Sequence, residues 1–269
     1  VDDPLSERPG RGDDVSAELP EILTSLSEAR VELTKFITAY QFAIQEIETK
    51  VRILQQEFQQ LHRYNPIEHV SSRLKSMESI IAKVRKTGCG PSLDEIRREV
   101  RDIAGVRVVC SFTPDVYRIQ ELLCRQSDVR LLQVKDYIAS PKPSGYRSLH
   151  AIVEIPVFLS DGSVQVPVEM QFRTSAQDFW ASLEHKIFYK YDHEVPAEIA
   201  QGLRDAADAA SHLDAEMERL SVAIQDLTGE EPPGSMTVTP GDVDDFLALV
   251  RESRAGRGRP GPDVAGPSA

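Results

Sequence analysis

The chain has 269 residues, with 31 Lys+Arg against 43 Asp+Glu for a formal net charge of −12, and 41% of it is hydrophobic. That length and apolar share suit one sizeable folded domain with appendages and exclude a wholly disordered chain, while no apolar run approaches the roughly 18–20 residues that cross a bilayer. Cys89, Cys110 and Cys124 form no CxxC pair, which argues against a disulfide framework or a structural zinc site; with a polar, mixed-charge start that carries no secretory signal pattern, this points to the cytoplasm.

Residues 1–17 combine Pro, Gly and charge without periodicity and are expected to form a disordered tail. The region 18–66 is helical: Leu33, Ile37, Tyr40, Ile44, Ile47, Val51, Leu54, Phe58 and Leu61 follow one another in steps of four and three, one apolar stripe along a long helix that Asn65-Pro66 ends. A second helix is expected at about 68–86, broken by Gly88-Cys89-Gly90-Pro91. Ser92 then reads as the N-cap of a helix through about residue 100, with Glu95 at the capping-box position. Alternating elements follow: a strand at 105–112, a helix at 114–125, strands at 130–138, 150–158 and 164–173, and a helix at 176–191. Asp161-Gly162 marks the last two strands as a hairpin. Residues 67–195 thus form a mixed α/β core. A second stripe through Ile199, Leu203, Ala206, Ala210, Leu213, Met217, Leu220, Ile224 and Leu227 places a C-terminal helix at 196–228. Both stripes can pack on the core or on each other, but helices this long reach past a small domain, and a subunit interface is the favoured reading. Residues 229–269 are expected to be mostly disordered, with a short helix at 243–250. The Gly256-x-Gly258-x-x-Gly261 pattern there is no dinucleotide fingerprint, because no strand precedes it and Pro260 interrupts it.

Charge is unevenly placed. Residues 69–191 hold 18 Lys+Arg and 14 Asp+Glu, a net +4, while the remainder holds 13 and 29, a net −16. A locally basic middle inside an acidic protein suits a polyanionic ligand in a focused cleft, although a solvated surface gives the same count.

Four clusters carry chemistry. The first holds Arg73, Lys75 and Lys83 at or near the start of the expected helix at 68–86, where free N–H groups and cations would together take a polyphosphate; solvent-facing cations are the plainer alternative. In the second, Arg101-Asp102-Ile103-Ala104-Gly105-Val106-Arg107, an Asp just before a buried strand can hold Mg²⁺ or simply terminate a turn. The third is the loop at 135–150 with Lys142, Ser144-Gly145-Tyr146-Arg147 and His150, in which Tyr146 can lie flat on a base while the cations take phosphates. The fourth is Val168-Glu169-Met170-Gln171-Phe172-Arg173-Thr174. Strand alternation sends Glu169, Gln171 and Arg173 to one face and Met170 and Phe172 to the other, so three polar groups on one face of a sheet need either a site or a buried ion-pair network. Asp102 and Glu169 make a plausible carboxylate pair for Mg²⁺.

In this order and spacing, HVSSRLKSMESIIAKV at 69–84, RDIAGVRVVC at 101–110, KDYIASPKPSGYRSLH at 135–150 and VEMQFRT at 168–174, followed by Phe179-Trp180 and Glu184-His185, closely resemble the synthetase domain of the RelA/SpoT family over roughly 62–191. The resemblance implies a nucleotidyltransferase-like mixed sheet flanked by long N- and C-terminal helices. No His-Asp dipeptide occurs, so the expectation is a small alarmone synthetase without a hydrolase domain. The implied reaction moves the β,γ-pyrophosphate of ATP to the 3′-OH of GDP or GTP, releasing AMP and making guanosine tetra- or pentaphosphate for the stringent response. The implied roles put Arg73, Lys75 and Lys83 on the ATP phosphates, with Arg73 and Arg107 also able to stack on adenine. Asp102 binds Mg²⁺, and Glu169 is its second ligand or the base for the 3′-OH proton. Tyr146 stacks on guanine, Lys142, Arg147 and His150 contact the acceptor phosphates, and Gln171 and Arg173 position Glu169 and the substrates.

Ser144 stands where long family members often have Asn. Some small synthetases are tetramers with an allosteric cleft for their own product, and one kind binds single-stranded RNA. The resemblance therefore implies a homo-oligomer, by likeness a tetramer, and leaves single-stranded RNA open as a partner. His69 and Asp178 stand where relatives have an aromatic residue and Asn in that cleft, and a carboxylate facing a phosphate disfavours product activation. Two other functions compete: a toxic synthetase that pyrophosphorylates tRNA 3′ ends, and a catalytically silent nucleotide- or RNA-binding regulator.

Overall fold

The structure, a computed structural model, describes residues 13–62, 64–189 and 196–228, together with 241, 246 and 247. The described elements run α1 (Asp13–Leu61), β1 (Ile67–Leu74), α2 (Met77–Thr87), α3 (Leu93–Glu99), β2 (Ala104–Cys110), α4 (Thr113–Cys124), β3 (Arg130–Asp136), β4 (Leu149–Leu159), β5 (Gly162–Thr174), α5 (Ser175–Tyr189) and α6 (Ala197–Thr228). The five strands form one mixed sheet in the order β1-β2-β5-β4-β3. Every neighbouring pair is antiparallel except β2 and β5, which run parallel at the centre.

Strand alternation splits the sheet into two faces. The back face carries Val106, Val108, Met170, Phe172, Ala151 and Val153, all buried. It packs with Tyr40, Ile47 and Val51 of α1 and Ile119 and Leu123 of α4 into one apolar core. Burying each such side chain stabilises the fold by about 1.5–3 kcal/mol. The front face carries polar groups in register: Gly105 lies opposite Glu169 and Arg107 opposite Gln171, His150 lies opposite Gln171 on the other side, and Arg73 lies opposite Gly105.

Four expectations change. The first helix begins at Asp13, so residues 13–17 are helical rather than a disordered tail; residues 1–12 lie outside the described residues, as do residues 229–269 apart from three helical positions. The first apolar stripe packs on the sheet from Phe36 to Phe58, so over that stretch it is core rather than subunit interface. The expected helix at 68–86 is instead β1 followed by α2. Val70 and Leu74 are spaced as in a helix, but they belong to an edge strand with a partner on one side only, where few side chains need be apolar and the period-2 signal is weak. Finally, Arg73 stands on a strand and Lys75 beyond its end rather than at a helix start; α2 begins only after Ser76, whose side chain accepts from the Ser79 backbone N–H.

The second helix boundary follows its sequence signal, with the Ser92 hydroxyl donating to Glu95 Oε2 at 2.8 Å and accepting from the Glu95 backbone N–H at 3.3 Å. The β4–β5 hairpin closes between Leu159 and Gly162. A second, smaller apolar cluster of Trp180, Ala181, Leu203 and Ala207, with Tyr146 against it, fixes α5 and α6 to the loop between β3 and β4. Trp180 Nε1 donates to the Leu203 carbonyl at 2.9 Å.

Candidate active site

The front face of β2, β5 and β4, roofed by the 137–148 loop and by α5, forms a cleft of about 540 Å³. Arg73, Asp102, Arg107, Lys142, Tyr146, His150, Glu169, Gln171 and Arg173 line it, joined from α5 by Ser182, Glu184, His185 and Lys186. Cations outnumber the three carboxylates, which suits a polyanionic ligand.

Asp102 sits in the turn entering β2. The backbone ladder continues one step past β1, where the Lys75 N–H donates to the Ile103 carbonyl at 2.8 Å. That step sets Lys75 Nζ 2.7 Å from Asp102 Oδ2, and Lys83 of α2 reaches the same oxygen at 2.6 Å. Burial alone would raise the Asp102 carboxyl, but the two lysines outweigh it and hold the group below its ordinary value. Asp102 Oδ1 is buried with no hydrogen-bond partner.

Glu169 projects from β5 next to Gly105 of β2. Gln171 Nε2 donates to its Oε2 at 3.0 Å, and His150 Nδ1 lies 3.3 Å from its Oε1. Burial pushes this carboxyl up and the nearby Asp102 charge adds to that, yet the His150 and Gln171 contacts prevail and hold it below the ordinary glutamate value. Both carboxylates are therefore ionised at neutral pH. Among the described residues no cluster of three or more His, Cys, Asp or Glu could cage a metal. A hard divalent cation held by one or two carboxylates plus substrate phosphates needs no such cage, and the donor set here, with the unpartnered Asp102 oxygen, fits that kind of ion.

Tyr146 lines the cleft, half-buried. Its hydroxyl lies 2.8 Å from His150 Nε2 and accepts from Arg173 Nη2 at 2.6 Å, and Lys142 Nζ sits 4.7 Å from its ring centre. Arg173 is 4% exposed and almost wholly committed: Nε donates to the Ser148 hydroxyl at 3.3 Å, Nη2 also to Gln171 Oε1 at 2.8 Å, and Nη1 to Asp178 Oδ1 at 3.1 Å.

Nine of the sequence-predicted residues line one cleft. Lys75 and Lys83 do not line it and instead grip Asp102 from behind. Arg147 turns away, its guanidinium donating to the Ile138 carbonyl at 3.3 Å and facing Asp208 of α6 at 3.9 Å. From the sequence, Glu184-His185 enter only as a family motif and Asp178 only in a product cleft, with none of the α5 residues given a place in this site. Asp178, Ser182 and His185 recur at helical spacing, a polar stripe that was visible in the chain. Asp178 also lies 3.8 Å from His69 Nε2.

The chain matches the family model described as "Region found in RelA / SpoT proteins" over residues 72–194. GTP pyrophosphokinase YwaC of Bacillus subtilis is 47% identical over 181 residues, covering 67% of this chain and 86% of that protein. The crystal structure of small alarmone synthetase 2 from Bacillus subtilis superposes with a TM-score of 0.66 at 43% identity, covering 71% of this chain and 99% of the other. That of small alarmone synthetase 1 from the same organism, bound to its product pppGpp, gives 0.67 at 36% identity, covering 72% and 98%. Sheet, cleft and likeness agree: this chain belongs to the RelA/SpoT family, among its small alarmone synthetases.

Proposed function

We propose that the chain is a GTP pyrophosphokinase that makes (p)ppGpp, transferring pyrophosphate from ATP to the 3′-OH of GDP or GTP. The observation that carries this reading is that two carboxylates, Asp102 and Glu169, line one cation-rich cleft together with Tyr146. The relative solved with pppGpp and the pyrophosphokinase relative support it.

Glu169 takes the proton from the acceptor 3′-OH. The 3′ oxygen bonds to the β-phosphorus, the bond from that phosphorus to the bridging α–β oxygen breaks, and AMP leaves with that oxygen. His150 and Gln171 fix the carboxylate for this step and keep it unprotonated. Arg73 and Arg107 hold the donor on the β1–β2 side, and Lys75 and Lys83 add positive charge next to it. Tyr146 stacks on guanine, with Lys142 and His150 near the acceptor phosphates. Asp102 would hold Mg²⁺, whose charge would offset that of the transferring phosphates; a place for Glu169 as second ligand is the alternative to its role as the base. Catalysis of this type rests on alignment and charge neutralisation. The reading includes a cytoplasmic protein and a homo-oligomer; no described helix is long and apolar enough to cross a membrane.

The test is incubation with Mg²⁺, ATP labelled at the γ-phosphate, and GDP, GTP or bulk tRNA in parallel. The expected result is label in a guanosine nucleotide with AMP released, and a Glu169→Gln variant that binds both nucleotides normally but turns over at least 100-fold more slowly, the loss usual for a positioned acid–base group. Label in tRNA alone, or near-normal turnover by that variant, would overturn the reading or the assignment of the base respectively.

A further inference from the structure

Asp178 lies in the first turn of α5, where a carboxylate is commonly present only to complement the free N–H groups of the helix. Here other residues serve that end. Thr174 Oγ1 accepts from the Gln177 backbone N–H at 3.2 Å, and Gln177 Oε1 accepts from the Thr174 backbone N–H at 3.3 Å. The Asp178 side chain instead turns toward the sheet and is mostly buried. A single oxygen, Oδ1, accepts from Arg107 Nη1 at 2.9 Å and from Arg173 Nη1 at 3.1 Å, while Oδ2 faces His69.

The two guanidiniums belong to different halves of the cleft. Arg107 comes from β2, on the donor side. Arg173 comes from β5 and holds the Tyr146 hydroxyl and Gln171, and Gln171 in turn holds Glu169. Two guanidiniums brought to one point in a half-buried site repel each other; burial and the Arg173 charge both act against the Arg107 cation, and Asp178 opposes them. Removing the carboxylate would release Arg107 and take from Arg173 its one ionic partner, leaving that side chain on the neutral groups of Ser148, Tyr146 and Gln171.

We propose that Asp178 is a positioning residue shared by the two nucleotide subsites, one carboxylate oxygen that sets Arg107 for the donor and, through Arg173, sets Tyr146 and Gln171 for the acceptor. It touches neither substrate. This rests on the assignment of ATP to the Arg107 side and of the guanosine nucleotide to the Tyr146 side. Its signature is a joint effect: one substitution on α5 weakens two ligands that bind to different strands.

The experiment is steady-state kinetics with ATP and GDP varied separately, on the wild-type chain, Asp178→Asn, Asp178→Ser, Asp178→Glu and Arg107→Gln, with thermal melts of each. Both uncharged Asp178 variants should raise KM for ATP and KM for GDP together, each roughly tenfold, the size expected for losing a charge-assisted hydrogen bond. Asp178→Glu, which keeps the charge, should recover most of both losses, and Arg107→Gln should raise only the ATP value. The serine variant carries the test should the asparagine variant fail to fold. Loss of kcat and melting temperature with both KM values unmoved would mark a merely structural residue and overturn the proposal, as would a rise in one KM alone. A wild-type chain that transfers no label to GDP would instead sink the reading of the cleft itself.

Discussion

Asp102 combines a contact that holds the fold with the role proposed for it in the chemistry. Its Oδ2 joins the end of β1 to α2 through Lys75 and Lys83, while Oδ1 is buried without a hydrogen-bond partner. The direction of its pKa shift fixes how stability depends on pH. A carboxylate whose folded value lies below its unfolded value of 3.8 stabilises the fold fully at pH above 3.8, and that contribution is lost as pH falls through the lower folded value. Asp102→Asn should therefore lower unfolding free energy at pH 7 by about 1–3 kcal/mol, with the deficit shrinking toward pH 3. Urea unfolding at both pH values checks this; an equal deficit at both would show that the lysine contacts are not its source. At this scale the sequence was informative where alternation does the work. Glu169, Gln171 and Arg173 share a face because they sit two apart on one strand. The Asp178 contacts were not legible, because its partners come from β2 and β5 and only the fold brings them together. Arg147 pointed to the cleft by its neighbours in sequence, but the loop's path turns it toward Asp208.

Elements position these residues, and the 137–148 loop depends on α6 for its shape. The Lys142 N–H donates to the Tyr146 carbonyl at 3.1 Å and the Gly145 N–H to the Lys142 carbonyl at 2.8 Å. Gly145 has φ +91, and a Cβ there would lie 2.5 Å from the Ala207 Cβ of α6. Neither the conformation nor the space admits a side chain. Gly145→Ala should push Tyr146 out of place, raising KM for the guanosine acceptor severalfold while leaving KM for ATP near its wild-type value, at a stability cost of about 1–2 kcal/mol. An unchanged acceptor KM would show that the loop does not set the acceptor site. Helix and strand types were largely readable from periodicity and turn residues, including the β4–β5 hairpin and the Ser92 cap. β1 was not, because an edge strand with serines at 71 and 72 has too few apolar positions to show a period of two, and its identity is settled by pairing with β2.

Over the whole molecule, the two apolar stripes part company. The first packs on the sheet from Phe36 to Phe58, whereas the second runs past it: Leu213, Met217, Leu220 and Ile224 of α6 are exposed. Between α5 and α6 lies an apolar groove of about 600 Å³ lined by Phe179, Leu183, Ile187 and Leu213, with Phe179 68% exposed. Apolar surface of this kind marks an association site, in keeping with the homo-oligomer proposed above. Phe179→Glu combined with Leu213→Glu should lower the mass measured by light scattering while leaving the melting temperature almost unchanged; an unaltered mass would remove the groove from the interface. The central parallel pair, β2 beside β5, has a consequence of another kind. Ladder hydrogen bonds between these strands hold Glu169 beside Gly105, and Asp102 stands just ahead of them, in the turn that enters β2. Tyr146, the residue proposed to stack on guanine, by contrast rides on the segment between β3 and β4 that packs against α6. The loop's tyrosine is nonetheless tied to the sheet through His150 and Arg173, so a rewriting of residues 137–148 aimed at a different acceptor has to keep those two bonds if the sheet-borne groups are to stay as they are.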